Sequence, residues 1–286
     1  MGNIDLHTHT WYSDGGSSPA GLVEGALLRG LHTLAITDHD NARGAREAQP
    51  LARSLGLHLV TGIEWTCRWD AAQAPSQFGD VDLLGYDIDL ENPVLLETET
   101  AALEDAHQRI VQCCADLTAA GYPVSVEDVL AVNPRFPSGI GVILAVRARG
   151  YAEDWEASLR LVDAHRSGLP LPALTIERAI EIIHAAGGAA VLAHPTLVRW
   201  RGGELDAEGL RILVEAGLDG VEVYHHRLDE VARVRFLDLA KRFDLVVTGG
   251  SDEHSNPNSF RRLGTQPVEG ACVQALLERA ARYRRI

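Results

Sequence analysis

The amino-acid sequence predicts an α/β protein, either a (β/α) barrel or a closely related wound sheet with seven strands. Short apolar runs typical of buried strands recur along the chain, and amphipathic helical patterns separate most of them. One long stretch with only helical patterns interrupts this alternation. A chain of 286 residues could form two domains of about 150 residues, but a single α/β barrel of about 250 residues is equally allowed.

The seven predicted strands are short and end in polar or histidine residues. Near-continuous apolar runs such as Ala189–Ala193 suit strands that are buried on both faces, as they are in parallel sheets. The seven runs are Ile4–His9, Thr33–Thr37, His58–Glu64, Val81–Tyr86, Ala189–His194, Gly220–Tyr224 and Leu245–Gly249.

Helical patterns follow most of these strands. Thr175 and Gly187 bracket one helix as its N-cap and its C-terminal stop. The six helices expected around the sheet are Ala20–Arg29, Ala42–Leu55, Ile176–Ala186, Ala207–Ala216, Leu228–Phe243 and Val268–Arg284.

Between about residues 89 and 172 the sequence predicts helices only, and Ser125 with Asp128 forms a capping-box signature there. We therefore expect a barrel formed by residues 1–88 and 173–286, with a helical insertion at 89–172 between strands four and five. The insertion would cover one end of the barrel and select the substrate. Its helices are predicted at Val94–Ala120, Ser125–Val132, Gly141–Arg149 and Trp155–His165.

Charge and composition exclude several classes of protein. A formal net charge of −14 argues against a surface that coats nucleic acid, so we expect no extended nucleic-acid groove. The N-terminus lacks the basic region and apolar core of a signal peptide, and no window approaches the ~18 apolar residues of a membrane span. These features predict a cytoplasmic protein with no membrane partner, and they leave its oligomeric state open.

Twelve histidines are many for this length, and the informative ones follow predicted strands. His7 and His9 lie two residues apart on one strand, so their side chains point to the same face and can bind one ion. Because the carboxyl ends of parallel strands emerge at one face of a barrel, side chains scattered along the chain converge there. The convergent residues are His7, His9, Asp38, His39, Asp40, Glu64, His194, Asp252 and His254.

Imidazole mixed with carboxylate, without thiolate, suits Mn²⁺, Fe²⁺ or Zn²⁺. The candidate ligands exceed the coordination shell of one ion, so we expect at least two. Two ions about 3.5–4 Å apart can together hold the oxygens of a phosphoryl group. Such ions also provide the local positive charge that an anionic substrate requires in an acidic protein.

Six motifs contain these residues: Asp5-Leu-His-Thr-His-Thr10, Ser13-Asp14-Gly15, Ile36-Thr-Asp-His-Asp40, Gly62-Ile-Glu64, Ala193-His-Pro195 and Ser251-Asp-Glu-His254. In order and spacing they resemble the successive motifs of the PHP (polymerase and histidinol phosphatase) family. The closest layout is that of its stand-alone branch, which carries a helical insertion at this place and acts on nucleotide phosphates. The resemblance implies a distorted seven-stranded barrel.

The resemblance also implies a set of metal ligands. It assigns a first ion to His7, His9, Glu64 and Asp252, a third ion to Asp14, His39 and His254, and a middle ion to Glu64 and His194. Members of the family usually have a histidine in the strand-four motif, where this chain has Asp82. That departure leaves open whether two or three ions bind, with Mn²⁺ the expected metal and Fe²⁺ or Zn²⁺ the alternatives.

The leading hypothesis is a metal-dependent phosphomonoesterase that acts on a small nucleotide, with a nucleoside 3′,5′-bisphosphate as the favoured substrate. The expected catalytic residues are Asp14, His39, His194 and His254, and either His194 or His225 would protonate the leaving oxygen. Substrate contacts are expected from Tyr12, Ser13, Arg135, Arg199 and His225, although each could instead be an ordinary surface residue. The alternatives are a 5′→3′ exonuclease on short oligonucleotides, a histidinol-phosphate phosphatase and a non-catalytic metal-binding module.

Overall fold

The structure, a computed structural model, describes residues 3–72, 81–165, 172–255 and 262–284. Nine strands are described: β1 (Ile4–Asp5), β2 (Thr33–Ile36), β3 (His58–Cys67), β4 (Val81–Tyr86), β5 (Ala189–Leu192), β6 (Arg199–Trp200), β7 (Gly203–Glu204), β8 (Gly220–Tyr224) and β9 (Val246–Gly249). Ten α-helices are described: α1 (Pro19–Leu28), α2 (Arg43–Leu55), α3 (Pro93–Ala119), α4 (Val126–Val132), α5 (Gly139–Ala148), α6 (Trp155–His165), α7 (Ile176–Ala185), α8 (Ala207–Glu215), α9 (Glu230–Arg242) and α10 (Gly270–Ala280).

Seven strands form one curled sheet, in the order β1-β2-β3-β4-β5-β8-β9, which confirms the predicted α/β class and strand number. The first and last strands come together, because Leu6 N donates to Gly249 O (3.3 Å) and Asp252 N donates to His7 O (2.9 Å). Strands β6 and β7 pair separately as a small hairpin. The segments after β1 and after β9 therefore run side by side.

The expectation of an all-parallel sheet is wrong at one strand. β4 pairs antiparallel with both β3 and β5, whereas the other pairs in the sheet are parallel. The reason lies in the connection: parallel neighbours require a crossover, usually a helix, and the sequence has no helical pattern between β3 and β4. The reversal brings the amino end of β4, with Asp82, to the face where the parallel strands end.

The largest differences from the predicted strand boundaries are in β1 and β3. β1 ends at Asp5, so His7 and His9 lie on the extended segment beyond it. There Thr8 bridges to Glu253 instead of continuing the β1–β2 ladder. β3 continues to Cys67, so Glu64 lies within the strand and not at its end.

Alternate strand residues pack into two apolar clusters. One cluster includes Leu6, Val60, Leu84 and Tyr86 and continues to α10. The other contains the opposite faces of the strands, such as Leu34, together with the surrounding helices. The hydroxyl of buried Tyr86 donates to Leu6 O (2.8 Å), which ties β4 to the segment that leads to His7.

Helices α3 to α7 follow β4 and precede β5 in the chain. The capping box expected at the start of α4 is confirmed, since Ser125 Oγ accepts from Asp128 N and Asp128 Oδ2 accepts from Ser125 N. The carboxyl half of α3 packs with α4, α5 and α6 around a third apolar cluster that includes Leu117 and Val146. None of the described helices has the length and hydropathy needed to cross a membrane.

Gly250 lies where the last strand segment passes the first. A Cβ at this position would lie 2.3 Å from His7 N and 2.4 Å from His7 Cβ. We expect Gly250→Ala to lower the free energy of unfolding by about 2–4 kcal/mol, because the clash is with backbone that cannot rotate away. Urea unfolding measures the loss. The control is Gly270→Ala, where a Cβ meets nothing within 4 Å; equal stability of both variants would contradict the prediction.

Candidate metal centre

The predicted ligands come together at one end of the curled sheet, on the segments that leave the strands. His7, His9 and Asp14 follow β1, His39 follows β2, Glu64 lies in β3, His194 follows β5, and Asp252 and His254 follow β9. Groups of imidazole and carboxylate atoms close enough to share an ion link all eight of them, as the following distances show.

Glu64 lies at the centre of the cluster, and its side chain is 1% exposed. Its Oε2 is 3.1 Å from His7 Nε2, 3.3 Å from His9 Nε2 and 3.5 Å from His39 Nε2. Its other oxygen, Oε1, is 3.1 Å from His194 Nε2. Four imidazoles therefore converge on one buried carboxylate.

A second carboxylate, that of Asp252, follows β9 and lies close to two of the same imidazoles and to that of His254. Its Oδ1 is 3.2 Å from His9 Nε2, 3.7 Å from His7 Nε2 and 3.4 Å from His254 Nδ1. Asp252 adopts a left-handed backbone conformation, with φ of 56°. His194 also has a positive φ, 25°, which is rare for a residue with a side chain and is typical of functional sites.

Asp14 and His254 form the outer end of the cluster. Asp14 Oδ1 is 3.2 Å from His254 Nε2, and Asp14 Oδ2 is 4.0 Å from His39 Nε2. His254 Nδ1 lies 2.8 Å from the carbonyl oxygen of Asp252, to which it can donate. That hydrogen bond leaves the Nε2 lone pair of His254 directed towards Asp14 and available to a cation.

The separations and the chemistry of these side chains are those expected for the binding of divalent metal ions. Neighbouring ligands of one ion at about 2.1 Å lie roughly 3.0–3.7 Å apart, which matches most of the separations above. His9 Nε2 and Asp14 Oδ1 are buried and make no hydrogen bond of normal geometry within the described residues. Since buried polar atoms are seldom left unsatisfied, both atoms are explained by a bound cation.

Without cations, the charges of the cluster shift one another's protonation. Burial lowers the pKa of His9 to about 4, with a further contribution from His254. Burial opposes charge on His39 too, but Glu64 and Asp14 prevail and raise its pKa to about 10. Burial favours protonation of Asp14, yet His254 and His39 hold the pKa of Asp14 well below its usual range. Protons and metal ions therefore compete for the same nitrogen atoms.

Glu222 is a buried residue of the candidate site that the sequence did not predict. It is fully buried in β8, its Oε1 accepts from His7 Nδ1 (2.9 Å), and its Oε2 accepts from His194 N (2.8 Å). The first bond fixes the His7 tautomer, so that Nε2 faces Glu64 as an acceptor. A carboxylate inside the apolar run Gly220–Tyr224 was the available signal.

Two further buried aspartates hold the loops that carry the ligands. Asp38 accepts from Thr10 N (2.6 Å) and from Ser13 Oγ (2.7 Å), which fixes the turn before Asp14. Asp5 accepts from Ser251 N (2.8 Å), next to Asp252, and burial raises the pKa of Asp5 to about 6. Asp5 also accepts from His7 N (3.3 Å), and in the described hydrogen bonds neither aspartate contacts the side chain of a candidate ligand.

Asp82 reaches the cluster because β4 is reversed. Its Oδ2 lies 3.7 Å from His194 Nε2, on the side of His194 where Glu64 Oε1 also lies. The side chain of Asp82 is 22% exposed, which makes it the most open carboxylate of the cluster. An all-parallel sheet would have placed it at the opposite end of the strand.

The residues expected to bind substrate do not form one group in the structure. The Ser13 hydroxyl is turned to Asp38, and the Tyr12 hydroxyl donates to Glu47 (2.6 Å). Arg135 is exposed, with its guanidinium carbon 4.3 Å from the ring centre of Trp11. Arg199 lies in the β6–β7 hairpin.

His225 is fully buried behind the cluster, with Nε2 3.4 Å from Asp252 Oδ2. Its Nδ1 accepts from Arg227 N (3.2 Å). This arrangement positions Asp252, and His225 is not among the residues that line the adjoining cavity.

A cavity of about 340 Å³ opens from the cluster towards the helices that follow β4. Its inner wall includes Glu64, His194 and Asp252, and its outer wall is mainly apolar. Among the described residues, Arg109 and Arg227 are the lining residues with guanidinium groups. The apolar lining comes from Ala106, Ile110, Cys113, Phe136, Pro137, Ile140, Val142, Ile143, Leu159, Val162 and Leu197.

Glu222→Gln tests the support of His7. A glutamine oxygen can accept one of the two hydrogen bonds, but its amide nitrogen cannot accept the other, so either His7 or His194 loses its acceptor. We expect metal affinity to fall about 10- to 100-fold, as it does when such supporting groups are removed. Calorimetric titration with Mn²⁺ measures this change. Glu230→Gln, at a side chain 79% exposed, is the control; equal affinities of the two variants would contradict the assigned role.

Comparisons with known proteins agree with this geometry. The PHP domain model matches residues 5–122. Phosphoribosyl 1,2-cyclic phosphate 1,2-diphosphodiesterase of Eggerthella lenta is 32% identical over 87% of this chain and 93% of its own. The 3′,5′-nucleoside bisphosphate phosphatase of Chromobacterium violaceum is 30% identical over 100% and 99%, respectively. The 5′-3′ exoribonuclease of Haemophilus influenzae is 30% identical over 87% and 89%.

A comparison with solved structures indicates the same family. A crystal structure from Bifidobacterium adolescentis, described as a metal-dependent phosphoesterase, matches with a TM-score of 0.83 and 30% identity over 96% of each chain. These matches confirm the family indicated by the six motifs and the metal-dependent phosphoesterase class expected from them. With relatives of at least 30% identity aligned over most of its length, the chain belongs to the PHP family.

Proposed function

We propose that this PHP protein is a phosphomonoesterase that removes a terminal phosphate from a small nucleotide, with a nucleoside 3′,5′-bisphosphate as the favoured substrate. The observation that carries the proposal is a buried imidazole–carboxylate cluster that opens into a cavity lined by both guanidinium and apolar groups. The product would be a nucleoside 5′-monophosphate and inorganic phosphate. The C. violaceum relative, named for this activity, covers the whole of this chain.

The cluster would hold two or three divalent cations, with Mn²⁺ expected. His7, His9, Glu64 and Asp252 would bind one ion, and Asp14, His39 and His254 would bind another. When bound, such ions neutralise phosphoryl oxygens and lower the pKa of water, so that hydrolysis can proceed near neutral pH. The chain itself supplies the orientation: Asp38 fixes the loop of Asp14, and Glu222 fixes His7 and His194.

The leaving oxygen requires a proton, and the two candidate donors, His194 and His225, differ in their access to the cavity. His194 lines the cavity, whereas His225 is buried behind Asp252. A histidine that binds a cation through Nε2 cannot donate a proton from that atom. The role of His194 therefore depends on whether a cation occupies the site beside Asp82.

We propose that residues 89–172 form a cap that selects the nucleoside part of the substrate. Support comes from the apolar cluster that α3, α4, α5 and α6 share with one another. Ile143 and Val162 bring this apolar surface to the cavity, where Phe136 adds to the lining and a base or ribose could be buried. Asn133 connects the cap to the site, because its side-chain amide donates to the carbonyl oxygens of Trp11 and Ser13.

The second phosphate of a bisphosphate needs cationic contacts away from the metals. Arg227 and Arg109 line the cavity and can provide charge-assisted hydrogen bonds. The predictions that Arg135 and Arg199 bind phosphate stay predictions, to be tested in the same assay. We place Arg227 first because it follows β8 directly, two residues after His225, which contacts Asp252.

The main rival is a 5′→3′ exonuclease, which the H. influenzae relative favours. A metal cluster alone does not distinguish the two activities, so they are distinguished by the length of the preferred substrate. We expect faster phosphate release from a 3′,5′-bisphosphate than nucleotide release from a 5′-phosphorylated trinucleotide, with Mn²⁺ present in both assays. The opposite order would overturn the phosphatase proposal and support the exonuclease. Histidinol phosphate in a parallel assay tests the remaining enzymatic alternative.

Asp14→Asn and His254→Ala test the catalytic cluster. Each variant removes a ligand from the same end of the cluster, so we expect phosphate release to fall by about 10³-fold or more with the fold intact. Asp244→Asn, at a side chain 92% exposed, is the matched control. Turnover is measured by phosphate release and folding by circular dichroism. Near-normal turnover of either cluster variant would contradict the assigned catalytic role.

Arg227→Ala tests recognition of the second phosphate. Loss of one charge-assisted contact should raise KM for a 3′,5′-bisphosphate about 10- to 100-fold. KM for the corresponding 3′-monophosphate should change little, because that substrate lacks the second phosphate. Arg135→Ala is measured alongside, and Arg160→Ala, at a side chain 69% exposed, is the control. Equal effects on both substrates would exclude this role for Arg227.

A further inference from the structure

The two ends of the metal cluster differ in the chemistry of their ligands. At one end three imidazoles, those of His9, His39 and His254, group with the carboxylate of Asp14, and Glu64 and Asp252 reach His9 from the centre of the cluster. At the other end His194 is the imidazole flanked by two carboxylates, Glu64 and Asp82. Imidazole-rich sites favour Zn²⁺ and Fe²⁺, whereas carboxylate-rich sites favour hard cations such as Mg²⁺ and Mn²⁺.

Three side chains at the Asp82 end are placed to share one cation. Asp82 is held between two strands: it is in register with Thr66 of β3, and its carbonyl oxygen accepts from Ala193 N (3.1 Å). His194 Nε2 lies 3.1 Å from Glu64 Oε1 and 3.7 Å from Asp82 Oδ2. Both separations lie within the roughly 3.0–3.7 Å expected between neighbouring ligands of one ion at about 2.1 Å.

The carboxylate that distinguishes this end is the most exposed one of the cluster. The Asp82 side chain is 22% exposed, compared with 1% for Glu64, 8% for Asp14 and 9% for Asp252. Three protein ligands leave the remaining coordination positions to water. Mg²⁺ keeps several waters in its shell and is typically bound through one or two carboxylates, and this end supplies two carboxylates with one imidazole.

We propose that Asp82, Glu64 and His194 form a distinct, exchangeable cation site that prefers Mn²⁺ or Mg²⁺ to Zn²⁺. The inference rests on the metal-dependent function proposed above. It adds that the ion beside Asp82 differs from the other bound ions in its preferred element and in how tightly it is held. The ions at the histidine-rich end stay bound during dialysis, and the ion beside Asp82 is lost. When this site is filled, His194 Nε2 is a ligand, so the proton for the leaving oxygen comes from another group.

The metal content of the protein tests the exchangeable site directly, without an activity assay. Protein loaded with Mn²⁺ is dialysed against metal-free buffer and assayed by elemental analysis, and the dialysed protein is then titrated with Mn²⁺ and followed by electron paramagnetic resonance. We expect the wild-type chain to keep some ions and to take up one further Mn²⁺ that excess Mg²⁺ displaces. Asp82→Asn should weaken this uptake at least about tenfold and leave the retained ions unchanged.

Asp82→His is the second variant, and it should convert the exchangeable site into one that retains Zn²⁺ during dialysis. Asp163→Asn is the matched control, since Asp163 lines the same cavity from α6. Circular dichroism confirms that each variant is folded.

The possible failures are distinguishable. If Asp82→Asn takes up the exchangeable Mn²⁺ with wild-type affinity, or if the wild-type chain has only retained ions, the inference is wrong and the proposed function stands. If the wild-type chain binds no metal even in excess Mn²⁺, the proposed metal-dependent function itself is wrong. A Zn²⁺ preference at the exchangeable site of the wild-type chain would also overturn the inference.

Discussion

The buried carboxylate of Glu64 is the constraint on which the rest of the site depends. An ionised carboxylate at 1% exposure is costly unless nearby charges compensate for its loss of water. Here four imidazole nitrogens lie within 3.5 Å of its two oxygens, contributed by segments after β1, β2 and β5. Because these segments follow strands on both sides of β3, their imidazoles can meet at Glu64 only if the sheet curls.

The surroundings of the cluster add negative charge instead of removing it. Glu222, Asp38 and Asp5 are buried next to the candidate metal ligands, and each accepts hydrogen bonds that orient those ligands or the loops that carry them. In the absence of metal, protons must supply the missing positive charge, as the raised pKa of His39 illustrates. The carboxylates therefore make metal binding favourable and couple it to proton release.

The sequence predicted the number of sheet strands and the convergence of the candidate ligands, because both follow from patterns within short segments. The His7–His9 pair, the strand ends and the Ser125 capping box depend on periodicity and spacing within short segments. The antiparallel direction of β4 could have been predicted from the absence of a helical pattern between β3 and β4, because a parallel neighbour would require such a crossover. Glu222 was missed because its partners, His7 and His194, are far away in sequence. Arg227 was missed because cavity walls form only in the folded chain.

The acidity of the chain and its proposed anionic substrate are compatible for a reason visible in the cavity. Without cations, the carboxylates of Asp14, Asp82 and Asp252 would repel a phosphate from the inner wall. With cations bound, the same carboxylates hold the positive charge where the phosphoryl group must lie, and the outer wall stays apolar. In the proposed function, phosphate would be bound at the metal end and by the guanidinium groups of Arg109 and Arg227. A small nucleotide, which has both a phosphate and an apolar base, would suit both walls.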